Sequence, residues 1–250
     1  MLRNINHTLV QILMRTRQNL LHMKRTIGYF VRMLTLLSFT LSLSACFDIV
    51  EDVTVHNNGT GFIKATMNMS KSKTKIASLM QLDKVDGMKV PKQADVRREM
   101  NNVISILQKT PGISNVQHSL DFNNFVGTLS CEFSSVAALN AFTSALSKRL
   151  EVNISGYSNY TFNSGSGVFE RRFKPSPEAR KKLESLSPES KKSFDNAYYS
   201  AIYRFDKPIR SVSNAQAKIS SNKKAVMLKV PALQVVEGQI NLSNNIQLSN

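Results

Sequence analysis

The chain has no tryptophan, two cysteines and four histidines among its 250 residues. So few thiols exclude a disulfide framework. Neither His56 nor His118 has a second ligand-type residue at metal spacing, so no metal site is expected. Glycine-rich phosphate loops are absent as well: Asn57-Asn58-Gly59-Thr60-Gly61 is followed by no Lys-Ser/Thr pair and no helix start, and reads as a turn. Ser164-Gly165-Ser166-Gly167 misses the Gly-x-Ser-x-Gly spacing of a hydrolase elbow, which leaves Ser166 a loop serine. Acids are scarce too, 17 against 33 lysines and arginines, for a net charge of +16. That excess attracts polyanions. Without interleaved Arg-aromatic platforms or zinc spacing, however, nucleic acid is not the expected partner. No cofactor is expected.

Also missing is an apolar run of the ~20 residues needed to cross a bilayer. The longest one, from Met33 to Leu43, is uncharged and has the length of a signal-peptide core. Lys24, Arg25 and Arg32 precede it, and the small residues Ser44 and Ala45 follow, where a peptidase needs room. Leu43-Ser44-Ala45-Cys46 resembles a bacterial lipobox. The resemblance implies cleavage between Ala45 and Cys46, a diacylglyceryl group on the Cys46 thiol and acylation, with palmitate or a similar chain, of the new amino terminus. Two or more such chains make a stable anchor where one binds only reversibly. The stretch before Lys24 is longer than a usual leader, so Met23 competes with Met1 as the start.

On this reading residues 1–45 are a removed leader, 46–52 a short anchored tether and 53–250 a single domain. A seven-residue tether spans at most about 25 Å, which sets the domain on the membrane face. The leader holds six basic residues and no acids, so the mature chain of 205 residues keeps a net charge of +10. That length suffices for one good-sized domain. With Cys46 lipidated, Cys131 has no disulfide partner, and stability falls to a hydrophobic core.

Alternation of Val53 and Val55, then of Ile63, Ala65, Met67 and Met69, predicts two half-buried strands joined at Asn57–Gly61. Ile76, Leu79 and Met80 recur at helical spacing, and from Gln93 the stripe Val96, Met100, Val103, Ile104 and Leu107 predicts a longer helix ending at Thr110-Pro111-Gly112. Another hairpin carries Val116 to Phe122 and Phe125 to Phe133, turning at Asn123-Asn124. It places Cys131 among apolar neighbours, with His118 its sole candidate as a nucleophile's base; the core reading of Cys131 is preferred. Ser134 or Ser135 caps a helix through Leu146, and strands follow near Tyr157–Phe162 and Val168–Phe173. The stretch Pro175 to Lys192 is helical and basic, with Arg180-Lys181-Lys182 and Lys191-Lys192 read as a solvated face ahead of a headgroup contact. Strands are expected at Tyr199–Phe205 and Val226–Val230, and beyond Pro231 the chain adds edge strands or trails off. Hairpins followed by helices and more hairpins predict an α+β fold, a mainly antiparallel sheet with helices packed on one face.

Three features together resemble the LppM-like domain of bacterial envelope lipoproteins: the lipidated cysteine close to a first strand, the Val53–Met69 hairpin with its Asn-Gly-Thr-Gly turn, and Pro208-Ile209-Arg210-Ser211-Val212-Ser213-Asn214 ahead of Lys223-Lys224-Ala225-Val226. The resemblance covers the two ends of the mature chain. It implies a membrane-tethered α+β domain with an apolar groove for a lipid, and it carries over no catalytic residue. Asp48, Glu51, Asp52, Asp95 and Glu99 read as tether and helix-surface charges. The expected function is therefore a non-catalytic envelope lipoprotein that presents a basic domain to a lipid or protein partner at the membrane. The alternative is a carrier that holds a lipid or other apolar ligand between sheet and helices. By similarity to Gram-negative sorting, Phe47 in place of Asp after the cysteine favours the outer membrane over the inner.

Overall fold

β1 (Asp48–Val55) and β2 (Gly61–Asn68) form the predicted hairpin in the computed structural model, which describes residues 47–150 and 158–249. Gly59 sits at φ +83° in its turn. At Gly61 a Cβ would fall 2.0 Å from the Thr54 carbonyl oxygen and 2.4 Å from the Phe133 ring, so only glycine fits. β2 pairs with β6 (Val126–Phe133), and β6 with β5 (Ile113–Asp121), antiparallel throughout. On its other side β1 runs parallel to β9 (Tyr198–Phe205), Val53 opposite Tyr203. β12 (Ala225–Pro231) and β11 (Lys218–Ile219) complete a seven-stranded sheet in the order β11-β12-β9-β1-β2-β6-β5.

A second sheet of four strands has the order β10-β13-β8-β7, with β7 (Ser158–Asn163), β8 (Val168–Phe173), β10 (Ile209–Val212) and β13 (Asn244–Leu248). Its Phe169, Ile246 and Leu248 pack on Val53, Val55, Tyr203 and Phe205 of the large sheet in one buried cluster. Apolar alternation on both facing strands drives that contact. Among the described residues the α-helices are α1 (Lys73–Leu79), α2 (Gln93–Lys109), α3 (Val136–Leu150), α4 (Pro177–Glu184), α5 (Pro188–Lys192) and α6 (Ala232–Val236). Ser135, Ser176 and Ser187 cap α3, α4 and α5 through their hydroxyls. α3 carries Val136 and Leu139 into the main cluster, and Asn140 ties it to β7 by donating to the Tyr160 carbonyl at 2.6 Å and accepting from the Tyr160 amide at 3.0 Å.

The fold is α+β, as expected, with three differences in detail. Asp48 to Asp52, expected in the tether, are the first half of β1, because β9 and β2 offer ladders on both sides of them. The helices share the inner face of the large sheet with a second sheet that local periodicity does not reveal. β13, expected at an edge or in a tail, lies between β10 and β8 inside that second sheet.

Candidate functional site

The inner face of the large sheet is well filled toward β9 and poorly filled at the other end. Ile49, Ala65, Met67, Leu129, Gly127 and Leu120 share that face, since Ile49 opposes Met67, Met67 opposes Gly127, and Gly127 opposes Leu120. Two of the central positions, Ala65 and Gly127, are small. A Cβ on Gly127 would meet only Leu120 Cδ2, at 3.4 Å, so open space stands above the strand. Over this floor arch α1, a short hairpin of β3 (Lys84–Val85) and β4 (Met88–Lys89), and the first turns of α2. The result is an apolar cavity of about 640 Å³, within the range of roughly 300–1,000 Å³ typical of small-ligand sites.

The roof does not close on the floor. α1 presents Ile76, Leu79 and, at its C-cap, Met80 to the cavity, yet the helix has no buried residue. In α2 the apolar stripe is buried only at Leu107, while Val96 and Met100 line the cavity half-exposed. Met67 and Met88 are each 46% exposed at the rim. Five of the chain's ten methionines line this space: Met67, Met69, Met80, Met88 and Met100. An unbranched thioether adapts to irregular apolar partners, and methionine-rich surfaces recur where the partner varies in shape.

Local contacts hold the roof in place. Asp86 and Gly87 turn the β3–β4 hairpin at φ +49° and +76°, the geometry of a two-residue hairpin turn. The Asp86 carboxylate accepts hydrogen bonds at 3.1 Å from both the amide and the hydroxyl of Ser187, tying the hairpin to the start of α5. Hydrogen bonds from Ser190 and Ser187 hold its pKa below the usual carboxylate value. Lys92 donates to the carbonyls of Met80 and Leu82 at 3.2 and 2.8 Å, joining the end of α1 to α2. Phe125, with its bulky side chain at φ +53°, is the shared wall between the cavity and a shallower recess of about 480 Å³ behind α1. That recess is lined by Lys73, Ser78, Gln81 and Asn123, so α1 has one apolar face and one polar one. The two charged residues on the cavity wall are engaged elsewhere. Asp121 accepts from the Asn124 side chain at 2.7 Å, and Lys89 lies 3.7 Å from Asp95.

Beside the cavity, toward the second sheet, lies a buried polar cluster that periodicity alone did not reveal. Glu51, read from sequence as a tether charge, points inward from β1. It accepts hydrogen bonds from Tyr199 at 2.6 Å and Tyr160 at 2.7 Å, and Arg171 lies 3.3 Å away. Arg171, 3% exposed, also donates to the hydroxyls of Tyr203 at 2.7 Å and Tyr199 at 2.8 Å. Burial works most strongly against its charge, but the Glu51 carboxylate together with Tyr160, Tyr203 and Tyr199 outweighs burial and keeps the guanidinium well above its ordinary pKa. Burial, reinforced by Glu51, raises Tyr199 and Tyr203 well above the usual phenol range. The cluster joins β1, β7, β8 and β9 and so clamps one sheet to the other. A signal was present: strict alternation puts Arg171 on the same face as Phe169 and Phe173, and Glu51 on the face of Val53 and Val55.

Of the residues singled out from sequence, Ala45 and Cys46 lie outside the described residues. Cys131 opposes Ile63 on β2 and is 2% exposed, and burial pushes its thiol up to about 11. His118 stands opposite Leu129 and is exposed, so the two do not pair as nucleophile and base. His56 sits 3.1 Å from Asp206 at an exposed turn. Asp52 pairs with Arg204 at 2.9 Å and Asp95 with Arg98 at 2.6 Å, both at the surface, while Glu99 accepts from Asn102 at 3.0 Å. In α4, Arg180 pairs with Glu184 at 3.0 Å. Among the described residues no three His, Cys, Asp or Glu side chains gather as a metal site. No helix among them is long and apolar enough to cross a membrane.

Fold and site together define a two-sheet α+β domain with an apolar cavity between sheet and helices. No family model matches the chain, and no curated protein matches it. Among solved structures it is similar to the LppM folded domain of Mycobacterium tuberculosis, determined by NMR, at 14% identity and a TM-score of 0.40, over 81% of this chain and 88% of that one. A likeness of that size transfers no activity.

Proposed function

We propose that this chain is a lipid-anchored protein of the bacterial envelope whose domain binds an acyl chain or similar apolar ligand, without catalysing its conversion. The cavity over Ala65 and Gly127 carries the reading. It is too large to be a packing defect, apolar in its lining and rich in methionine, where a domain of this size otherwise fills its core to crystal-like density. Occupation of such a space removes methylenes from water at about 0.8 kcal/mol each, less the cost of ordering the ligand. A binding role also accords with the chemistry of the nearby groups: the Cys131 thiol is buried and protonated at neutral pH, and the Glu51 carboxylate is engaged by the Tyr199 and Tyr160 hydroxyls within the protein.

Anchoring is supported by the Leu43–Cys46 motif, and an outer-membrane location by Phe47 following it. The test of binding is native mass spectrometry of the full chain purified in a mild non-lipid detergent. A stoichiometric lipid that is lost in an Ala65→Phe variant of unchanged fold supports the carrier. Lipid-free protein that also fails to take up a fluorescent fatty acid removes it.

A further inference from the structure

The cavity opens at the strand end nearest the expected anchor. Ile49, on its floor, is three residues from Cys46, a separation the chain spans in at most about 11 Å. Phe47 is fixed by the fold: its carbonyl accepts from the Tyr198 amide at 3.0 Å, and its ring meets Phe194 edge-on with centroids 5.5 Å apart. Met67, the cross-strand partner of Ile49, is one of the exposed rim residues, so the opening lies beside this fixed end.

The same end is basic and apolar at once. Residues 69–82 include Lys71, Lys73 and Lys75 and no acid, followed by the unburied apolar face of α1 and by Leu82, which is 48% exposed. Lys71 reaches Asp48 at 3.4 Å, and Lys75 donates to Ser193 at 2.7 Å, which brings the end of α5, with Lys191 and Lys192, to the same shore. Lysines flanking a short, half-exposed amphipathic segment are the pattern of an element lying in a membrane interface. A tether this short leaves the domain little freedom to turn any other face to the bilayer.

We propose that this face, formed by α1 with its lysines and the Met67–Met88 rim, docks on an anionic lipid bilayer, the one that holds the anchor, and opens the cavity into its headgroup region. The inference rests on the binding reading and on lipidation at Cys46. It deepens them by naming the source of the ligand: an acyl chain enters from the bilayer without crossing water, the step that otherwise opposes apolar transfer. Lysines at the mouth draw the domain to anionic headgroups through a field that reaches about one Debye length, roughly 8 Å at physiological salt.

The absence of tryptophan makes a direct test available. Single-tryptophan reporters are introduced by Leu82→Trp on the docking face and Met227→Trp on the opposite face of the large sheet, both exposed positions. The full, processed protein is reconstituted into vesicles of phosphatidylcholine with or without phosphatidylglycerol, their acyl chains brominated as quenchers. Docking predicts quenching of the Leu82→Trp reporter at least threefold stronger than that of Met227→Trp, and stronger in the anionic vesicles. A Lys71→Glu/Lys73→Glu/Lys75→Glu variant should still float with the vesicles and lose that difference. Equal quenching at both sites, or none at either in floated protein, overturns docking alone. Failure to float, with no acyl mass on the Cys46 peptide, overturns the anchor and the docking with it. Lipid retained by native mass spectrometry while the reporters stay unquenched leaves the carrier standing and sinks this inference.

Discussion

The Tyr199 hydroxyl donates a 2.6 Å hydrogen bond to Glu51 across the parallel β1–β9 pair, and the same tyrosine accepts from Arg171 of the second sheet at 2.8 Å. One acid thus links two sheets through side chains that neither sheet could bury alone. Glu51→Gln should leave the Arg171 charge buried without its counterion, a loss on the order of 3–5 kcal/mol. The double variant Glu51→Gln/Arg171→Met should recover most of that loss, because no charge is stranded. Urea midpoints of the two single variants and the double decide the matter; strictly additive losses would contradict the coupling.

Filling the cavity should separate binding from folding. Ala65→Phe places a ring over the floor where space stands open, so stability should hold or rise by about 0.5–2 kcal/mol, the usual gain from cavity filling. Uptake of a fluorescent fatty acid should fall at least tenfold. A destabilised variant that still binds would show that the ligand lies elsewhere.

The β3–β4 hairpin should loosen when its tie to α5 is cut. Asp86→Ala removes both hydrogen bonds to Ser187, and amide hydrogen exchange at Val85 and Met88 should quicken while β1 and β9 stay protected. The pH dependence has a definite sign. Asp86 has its pKa lowered in the fold, so the tie is present above the ordinary value of 3.8 and lost only as the pH falls through the lower folded value.

Cys131 should resist thiol reagents until the protein opens. With the folded thiol at about 11 and the unfolded one at 9.0, its contribution is complete below pH 9 and lost as the pH rises toward 11. The loss approaches about 2–3 kcal/mol, two pKa units at 1.36 kcal/mol each. Denaturation midpoints between pH 8 and 11 should fall less steeply for Cys131→Ala than for the native chain.

Lys223 occupies φ +57° in an exposed turn, a conformation that disfavours a side chain. Lys223→Gly should relieve about 1 kcal/mol of that cost, less the entropy glycine brings, leaving a small rise in melting temperature. A clear fall would mean that the lysine side chain contributes to the turn in another way.

Much of this fold can be read in the chain because its elements obey simple periods. Val53 to Met69 alternate cleanly, and α2 begins at Gln93 and ends at Lys109, where the stripe and the Thr110-Pro111-Gly112 stop signal place it. The partnership of β1 with β9 is invisible locally, because 142 residues lie between Val55 and Tyr198 and no short-range rule joins them. Missing that pairing is what makes Asp48 to Asp52 look like tether and Glu51 like a surface charge. The cavity was half legible. A groove between sheet and helices stood among the expected alternatives, and the methionines were in view, but its size depends on Ala65 and Gly127 lying diagonally across β2 and β6. That is a matter of register between strands roughly 60 residues apart, which composition does not report.

β1 also has a mechanical consequence. It is the strand nearest the expected mooring point, and it lies inside its sheet with a full ladder on either flank. A pull along the chain from residue 47 therefore arrives lengthwise on a strand gripped from both sides, and every rung must slide before it yields. An outermost strand would peel rung by rung. A tug from the expected mooring point would thus be met first by a strand held along its whole length on both sides.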